Sequence, residues 1–261
     1  MANLLNYDAS QLLAFILVVI RISGIVATAP IFGDANIPSQ IKIVIILGFS
    51  LIIYPFVPPF SIPLDNVSYY LLLVAGELLI GLVLGMVGQL LFAAVQLAGE
   101  MAGLQMGLGM ANVMDPQSQQ QVSIVAQIEY AFAALIFLAM DAHHVVINAM
   151  VHSYTILTPG SVELGAKLTQ EIITLSAGVF VLGFQLGAPL IIALFVANII
   201  MGFMARAVPQ MNIFVVGFPF SILLGFVMLS AGIPFFIHAL RILFELFDNQ
   251  IVTVLNLLKQ P

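Results

Sequence analysis

Residues 67–98 read VSYYLLLVAGELLIGLVLGMVGQLLFAAVQLA, an apolar run in which Glu77 is the single charged side chain. A helix needs about 20 apolar residues to cross the hydrocarbon of a bilayer, so this run is long enough to span one. Because an isolated charge at the bilayer centre costs about 2.5–3.5 kcal/mol on insertion scales, we expect Glu77 to face protein or water. A buried partner such as Arg21 would make Glu77 structural, and otherwise it is a candidate functional carboxylate.

The rest of the chain has the same apolar character. Of its 261 residues, 62% are hydrophobic and 7% are charged, whereas soluble proteins carry about 25% charged residues. Lipid or apolar partner subunits must therefore surround much of the chain. Apolar regions can be marked at roughly 11–31, 41–57, 67–98, 124–151, 169–204 and 213–247. These six segments predict an all-α polytopic membrane protein, with residues 1–261 forming a single domain.

Several apolar regions are too long or too polar for simple straight spans. Residues 169–204 would form a helix of about 54 Å, and the region contains Gly183, Gly187 and Pro189. These residues favour a kink or a break inside it. Arg21, like Glu77, lies within an apolar run. Kinked or broken helices with embedded charges are typical of channels and transporters.

Composition and motifs exclude several function classes. The net charge is −6 and the six Lys and Arg residues are scattered, which argues against nucleic-acid binding. The chain has no cysteine, and it contains neither a nucleophile elbow, a phosphate-binding loop nor a His-Glu-x-x-His motif. We therefore expect no catalytic residues, no cofactor and no enzymatic activity.

A polar cluster at Asp141, His143, His144 and His152 raises the question of a metal site or a proton relay. Adjacent histidines point to different faces of a helix, and neither is four residues from His152, the spacing that zinc-binding helices use. We interpret the cluster as polar residues at a helix end and expect no metal.

The central segment combines glycine and methionine at helical spacing. Gly99, Gly103 and Gly107 repeat every four residues, which allows another backbone to approach closely. Methionines recur at the same spacing and would share a face of one helix, where their flexible side chains can close around irregular shapes. The segment is either a deformable plug or ordinary small-residue packing followed by a polar loop. The methionines are Met106, Met110 and Met114, and the loop begins Asp115, Pro116, Gln117.

Three separated segments resemble the FliR family of flagellar biosynthetic proteins, which has counterparts in virulence type III secretion systems. Residues 202–219, GFMARAVPQMNIFVVGFP, closely resemble the family signature, and residues 21–38 and 96–118 are similar to its N-terminal and central patterns. In the signature, a proline is expected to end one helix, polar residues to complete a tight reversal, and a second proline to bend the next helix. The candidate assembly residues are Arg21, Pro30, Phe32, Pro38, Arg206, Pro209, Gln210, Asn212, Phe214 and Pro219.

The resemblance implies a chain of kinked helical hairpins, which is a subunit of a helical export gate in the bacterial inner membrane, at the flagellar basal body. Its implied partners are FliP-like and FliQ-like subunits that form the channel, and FlhB-like and FlhA-like proteins that regulate it. Unfolded flagellar proteins would pass through. In that family the central segment closes the pore, which favours the plug interpretation. The candidate plug residues are Gly103, Met106, Gly107, Met110, Met114, Asp115, Pro116 and Gln117.

Other functions remain open at this level. A homologous subunit of a virulence secretion system would carry the same motifs. A secondary transporter would use Glu77, Asp141 and broken helices as its own substrate site. An intramembrane enzyme lacks any visible acid–base or nucleophile constellation.

Overall fold

The computed structural model describes residues 9–58, 67–108, 123–161, 165–210 and 212–259. Within these ranges every regular element is helical and there is no strand. The α-helices, numbered in chain order, are α1 (Ala9–Thr28), α2 (Ser39–Ile53), α3 (Val67–Gln105), α4 (Ile124–Ala139), α5 (His143–Ile156), α6 (Ala166–Ala207) and α7 (Ile213–Lys259). A 3-10 turn, Tyr54–Phe56, follows α2.

The predicted all-α membrane fold is confirmed. Five helices are long and apolar enough to cross a membrane, and there are six spans if the bent pair α4 and α5 counts as one. The longest helices, α3, α6 and α7, would measure about 59, 63 and 71 Å if straight. Each is far longer than the ~30 Å hydrocarbon core of a bilayer.

Of the kink or break predicted in residues 169–204, the structure shows no break, and the kink stays a prediction. Helix α6 runs without interruption from Ala166 to Ala207, with Pro189 inside it. A proline removes only one hydrogen bond from a helix. Apolar packing on both sides of it holds α6 together, because Leu186, Leu190 and Leu194 are all buried.

The chain divides into two compact units. Unit 1 comprises Met1–Leu90, Asp141–Leu175 and Glu245–Pro261, and unit 2 comprises Leu91–Met140 and Ser176–Phe244. Helices α3, α6 and α7 each contribute residues to both units. A single domain over residues 1–261 therefore stays a prediction.

Unit 1 is built on a close approach of α1 and α3. A Cβ atom on Gly81 would lie 2.9 Å from the Cα atom of Gly24 and would contact the carbonyl oxygen of Arg21. A Cβ atom on Gly85 would contact the hydroxyl of Thr28, which itself donates a 2.9 Å hydrogen bond to the Gly24 carbonyl. Small residues on both helices thus let the two backbones touch, as is common between membrane helices.

Unit 2 has an aromatic and an aliphatic core. The rings of Phe92, Phe137 and Phe244 form a triangle, with centroids 5.3 to 6.1 Å apart, the range in which aromatic pairs attract one another. A second cluster of buried side chains joins α3, α4 and α6: Ala102, Met106, Val125, Leu190 and Leu194.

Candidate functional sites

Arg21 and Glu77 form a buried, two-pronged ion pair in unit 1. The Arg21 Nε atom donates to Glu77 Oε2 at 2.6 Å, and Nη2 donates to Glu77 Oε1 at 2.9 Å. Both side chains are fully buried. This parallel arrangement is the strong form of an arginine–carboxylate contact, because two charge-assisted hydrogen bonds fix one geometry.

The Arg21 guanidinium makes two further hydrogen bonds. Nη1 donates to Ser153 Oγ at 3.2 Å, and Nη2 donates to the Leu157 carbonyl at 3.1 Å. The Tyr154 ring lies 4.1 Å from Arg21 Cζ, a cation–π contact. The pair therefore ties α1, α3 and α5 together. With its charge compensated inside the chain, Glu77 fits the structural interpretation.

The loop after α1 carries the rest of the N-terminal pattern. Pro30 is buried against α3, where a Cβ atom on Gly88 would lie 2.7 Å from the proline ring. Phe32 is half-buried, and Pro38 is exposed at the start of α2. Arg21 and Pro30 thus belong to the core of unit 1, whereas Pro38 lies on its surface.

The central segment does not continue as one helix. Helix α3 ends at Gln105, and Gly107 adopts a φ of 83°. The Leu108 N–H donates to the Gly103 carbonyl and the Gly107 N–H donates to the Leu104 carbonyl, both at 3.1 Å. These two bonds define a glycine-terminated helix end, known as a Schellman motif.

The expectation of three methionines on one helical face is therefore wrong. Met106 lies just past the end of α3. The other candidate plug residues, Met110, Met114, Asp115, Pro116 and Gln117, lie outside the described residues.

Two of the repeated glycines serve helix packing. A Cβ atom on Gly99 would contact the Ala126 backbone, and one on Gly103 would contact the Ser123 hydroxyl. That hydroxyl caps α4 by accepting a hydrogen bond from the Val125 N–H at 3.2 Å. The contacts of Gly99 and Gly103 therefore fit ordinary packing of small residues between helices.

Met106 is a core residue. It is fully buried, and a Cβ atom on Gly225 of α7 would lie 2.6 Å from its sulfur. Gly107 contacts the signature segment, residues 202–219, because a Cβ atom on Gly107 would be 2.6 Å from Cδ1 of Phe218. The central pattern and the signature therefore meet within unit 2.

The signature lies at the end of α6 and the beginning of α7. Helix α6 ends at Ala207, two residues before Pro209, because the residue preceding a proline disfavours helical geometry. The turn is open to solvent or partners: Arg206, Pro209, Gln210 and Asn212 are exposed. Pro219 lies inside α7, and the side chain of Phe214 is outside what the structure describes.

Asp141, His143 and His144 converge, contrary to the expectation that adjacent histidines diverge. One ligand atom from each lies within 4.8 Å of the others, and the two imidazole centroids are 4.3 Å apart. Asp141 itself has a φ of 56° and lies two residues before α5 begins. The absence of a metal stays a prediction, which elemental analysis of the purified protein would check.

Sequence reasoning missed a further buried carboxylate, Glu129. It lies on α4 in unit 2 and is 8% exposed. Its Oε2 atom has no hydrogen-bond partner in the described part of the chain. The available signal was the same one that singled out Glu77, a charge inside an apolar run.

Comparison with known proteins gives a consistent result. Residues 12–247 match the family described as bacterial export proteins, family 1. The chain is 35% identical over 250 residues to the flagellar biosynthetic protein FliR of Bacillus subtilis, covering 94% of each chain. It is 30% identical to FliR of Escherichia coli, covering 91% of this chain and 90% of that one. FliR of Caulobacter vibrioides is 32% identical, with 86% and 90% covered.

Proposed function

This chain belongs to family 1 of the bacterial export proteins, the family of the flagellar FliR proteins, and we propose that it is a subunit of the flagellar type III export gate. This proposal rests mainly on the family match over residues 12–247, which covers most of the chain. Its apolar helices and its similarity to flagellar FliR proteins support a membrane protein of the flagellar apparatus. The proposed location is the inner membrane at the basal body.

The proposed channel contains FliP-like and FliQ-like subunits, with FlhB-like and FlhA-like proteins as regulators. The exposed apolar helices support such an assembly. In the most apolar window of α2 and of α7, only 11% of residues are buried, against 56% in α3. Exposed apolar faces of this extent need cover from lipid or from partner subunits.

The cargo would be unfolded flagellar proteins, and the chain would guide them without catalysing a reaction. Like any passive conduit, it would depend on its partners for an energy source. A transporter with its own site finds less support, because the Glu77 charge on which that alternative draws is neutralised by Arg21.

We place the pore plug after the end of α3, at residues 110–117. Of the candidate residues, Gly103 and Met106 are held in packing contacts, so we assign the plug to the later candidates, from Met110 onward. Removing residues 110–117 is expected to leave an assembled gate that leaks small ions, measurable as lost membrane potential. An assembled gate that stays tight after this deletion would contradict the plug.

The function is tested by deleting the gene in the bacterium that makes the protein. The expected result is cells without flagella, with hook and filament proteins absent from the medium, and recovery on restoring the gene. Normal flagella together with loss of a secreted virulence protein would instead assign the chain to a virulence system. Solute uptake by the purified chain alone in liposomes would support a transporter.

A further inference from the structure

Unit 2 contains a cavity of about 240 Å³ between α4, α6 and α7. Its walls are almost entirely apolar and include Phe132 of α4, Leu190 of α6, and Phe226 and Ile233 of α7. Among the described residues that line it, Glu129 is the single charged one. Its Oε2 atom is buried and has no partner among the described residues, whereas both oxygens of Glu77 are paired.

The described residues that line the cavity offer hydrogen-bond acceptors but no free side-chain donor. Its other polar side chain, Ser230, donates its hydroxyl to the Phe226 carbonyl of its own helix at 2.9 Å. Pro234 follows four residues later inside α7, and having no N–H, it cannot supply the bond that the Ser230 carbonyl accepts in a regular helix. No lysine, arginine or histidine is among the described residues that line the cavity.

A charge in this position needs compensation. An unpaired carboxylate surrounded by apolar side chains at membrane depth costs at least a few kcal/mol. Lipid tails would cover the apolar rim without offering the carboxylate a partner. The chain is itself short of cations, with six Lys and Arg against twelve Asp and Glu.

We propose that this cavity is a binding site for one lysine or arginine side chain of a partner subunit in the export gate. The long apolar stem of such a side chain matches the walls, and its several N–H donors match the carboxylate. The rim favours a protein partner over a small amine, because Phe132, Phe226 and Ile233 are each at least 40% exposed and a helix would cover them. This inference rests on the proposed function and adds a specific point of attachment to it.

The test compares Glu129→Gln with the wild type in cells that also make the FliP-like and FliQ-like proteins. The tagged chain is purified, and the partner subunits recovered with it are measured. We expect Glu129→Gln to lower their recovery by about tenfold, since about 1.4 kcal/mol of binding free energy corresponds to a factor of ten. The matched control is Glu100→Gln, also in unit 2, whose carboxylate already accepts a hydrogen bond from Gln96 at 3.2 Å; it should assemble as the wild type does.

Three further measurements separate the possible outcomes. The isolated Glu129→Gln chain should melt no lower than the wild type, which separates lost assembly from lost folding. Glu129→Lys should block assembly, and replacing one partner lysine or arginine by glutamate should restore it.

Equal assembly of wild type and Glu129→Gln would overturn the inference. So would an infrared signal of a protonated Glu129 carboxyl in the intact complex, because the occupant would then be a proton. A wild-type chain that recruits no partner would instead contradict the proposed function.

Discussion

At the scale of single residues, the two buried carboxylates show what the sequence could and could not predict. A lone charge in an apolar run marks a residue that needs compensation, and this signal found Glu77. The sequence indicates Arg21 only as a possible partner of Glu77. The two residues are 56 positions apart, and only the fold brings them together. Glu129 carries the same signal, but its lack of a partner is visible only once the neighbouring helices are in place.

We expect the buried Arg21–Glu77 pair to be important for the stability of the chain. Replacing one member, as in Glu77→Gln or Arg21→Met, leaves the other charge buried and should destabilise the chain by about 3–5 kcal/mol. The double variant Arg21→Met, Glu77→Leu should recover much of that loss, since it removes both charges. Thermal unfolding in detergent, followed by circular dichroism, measures both effects.

The control for this pair is Asp248→Asn, which removes an exposed carboxylate in unit 1 and should leave the unfolding midpoint unchanged. If the single variants melt like the wild type, the ion pair does not hold α1, α3 and α5 together.

At the scale of helices, the apolar regions were predictable and several of their ends were not. Hydrophobicity located all six regions. It gave no sign that α3 ends at Gln105, because the stop comes from the backbone of Gly107. Hydrophobicity likewise gave no sign that α7 continues to Lys259. Polar residues in the last turns of a helix destabilise it little when its apolar residues are buried. In α7 these buried apolar residues are Ile251, Val254 and Leu258.

The crossing of α1 and α3 depends on glycine at position 81. Gly81→Ala would place a methyl group against the backbone of α1, which cannot rotate away as a side chain could. Overpacking of this kind costs about 1–3 kcal/mol, so the unfolding midpoint should fall. Gly48→Ala is the matched control, because nothing lies within 4 Å of its Cβ position and alanine favours helix by up to about 1 kcal/mol. A Gly81→Ala chain as stable as Gly48→Ala would disprove the close crossing.

The end of α3 depends on glycine at position 107. Gly107→Ala should destabilise the chain by about 1–2 kcal/mol through its left-handed backbone, with a further loss from contact with Phe218. The same melting experiment applies, with Gly178→Ala as the control in unit 2, since Gly178 is helical with open space around it. Unchanged melting of Gly107→Ala would show that α3 does not end there.

At the scale of the whole molecule, composition predicted a protein that buries little of its apolar surface within itself. The structure shows how that surface is distributed: in the most apolar window of α3, 56% of residues are buried, whereas in the corresponding windows of α2 and α7 only 11% are. No sequence pattern could assign a covering partner to each face, because this information lies in other chains. The proposed function therefore requires partner subunits that cover the exposed apolar faces of this chain.

Native mass spectrometry of the protein, extracted gently from its own membrane through a tag on this chain, tests that dependence most directly. The expected result is one particle mass that contains this chain together with several copies of FliP-like and FliQ-like proteins. A well-folded single chain carrying nothing but lipid, recovered as the main species under the same conditions, would contradict it.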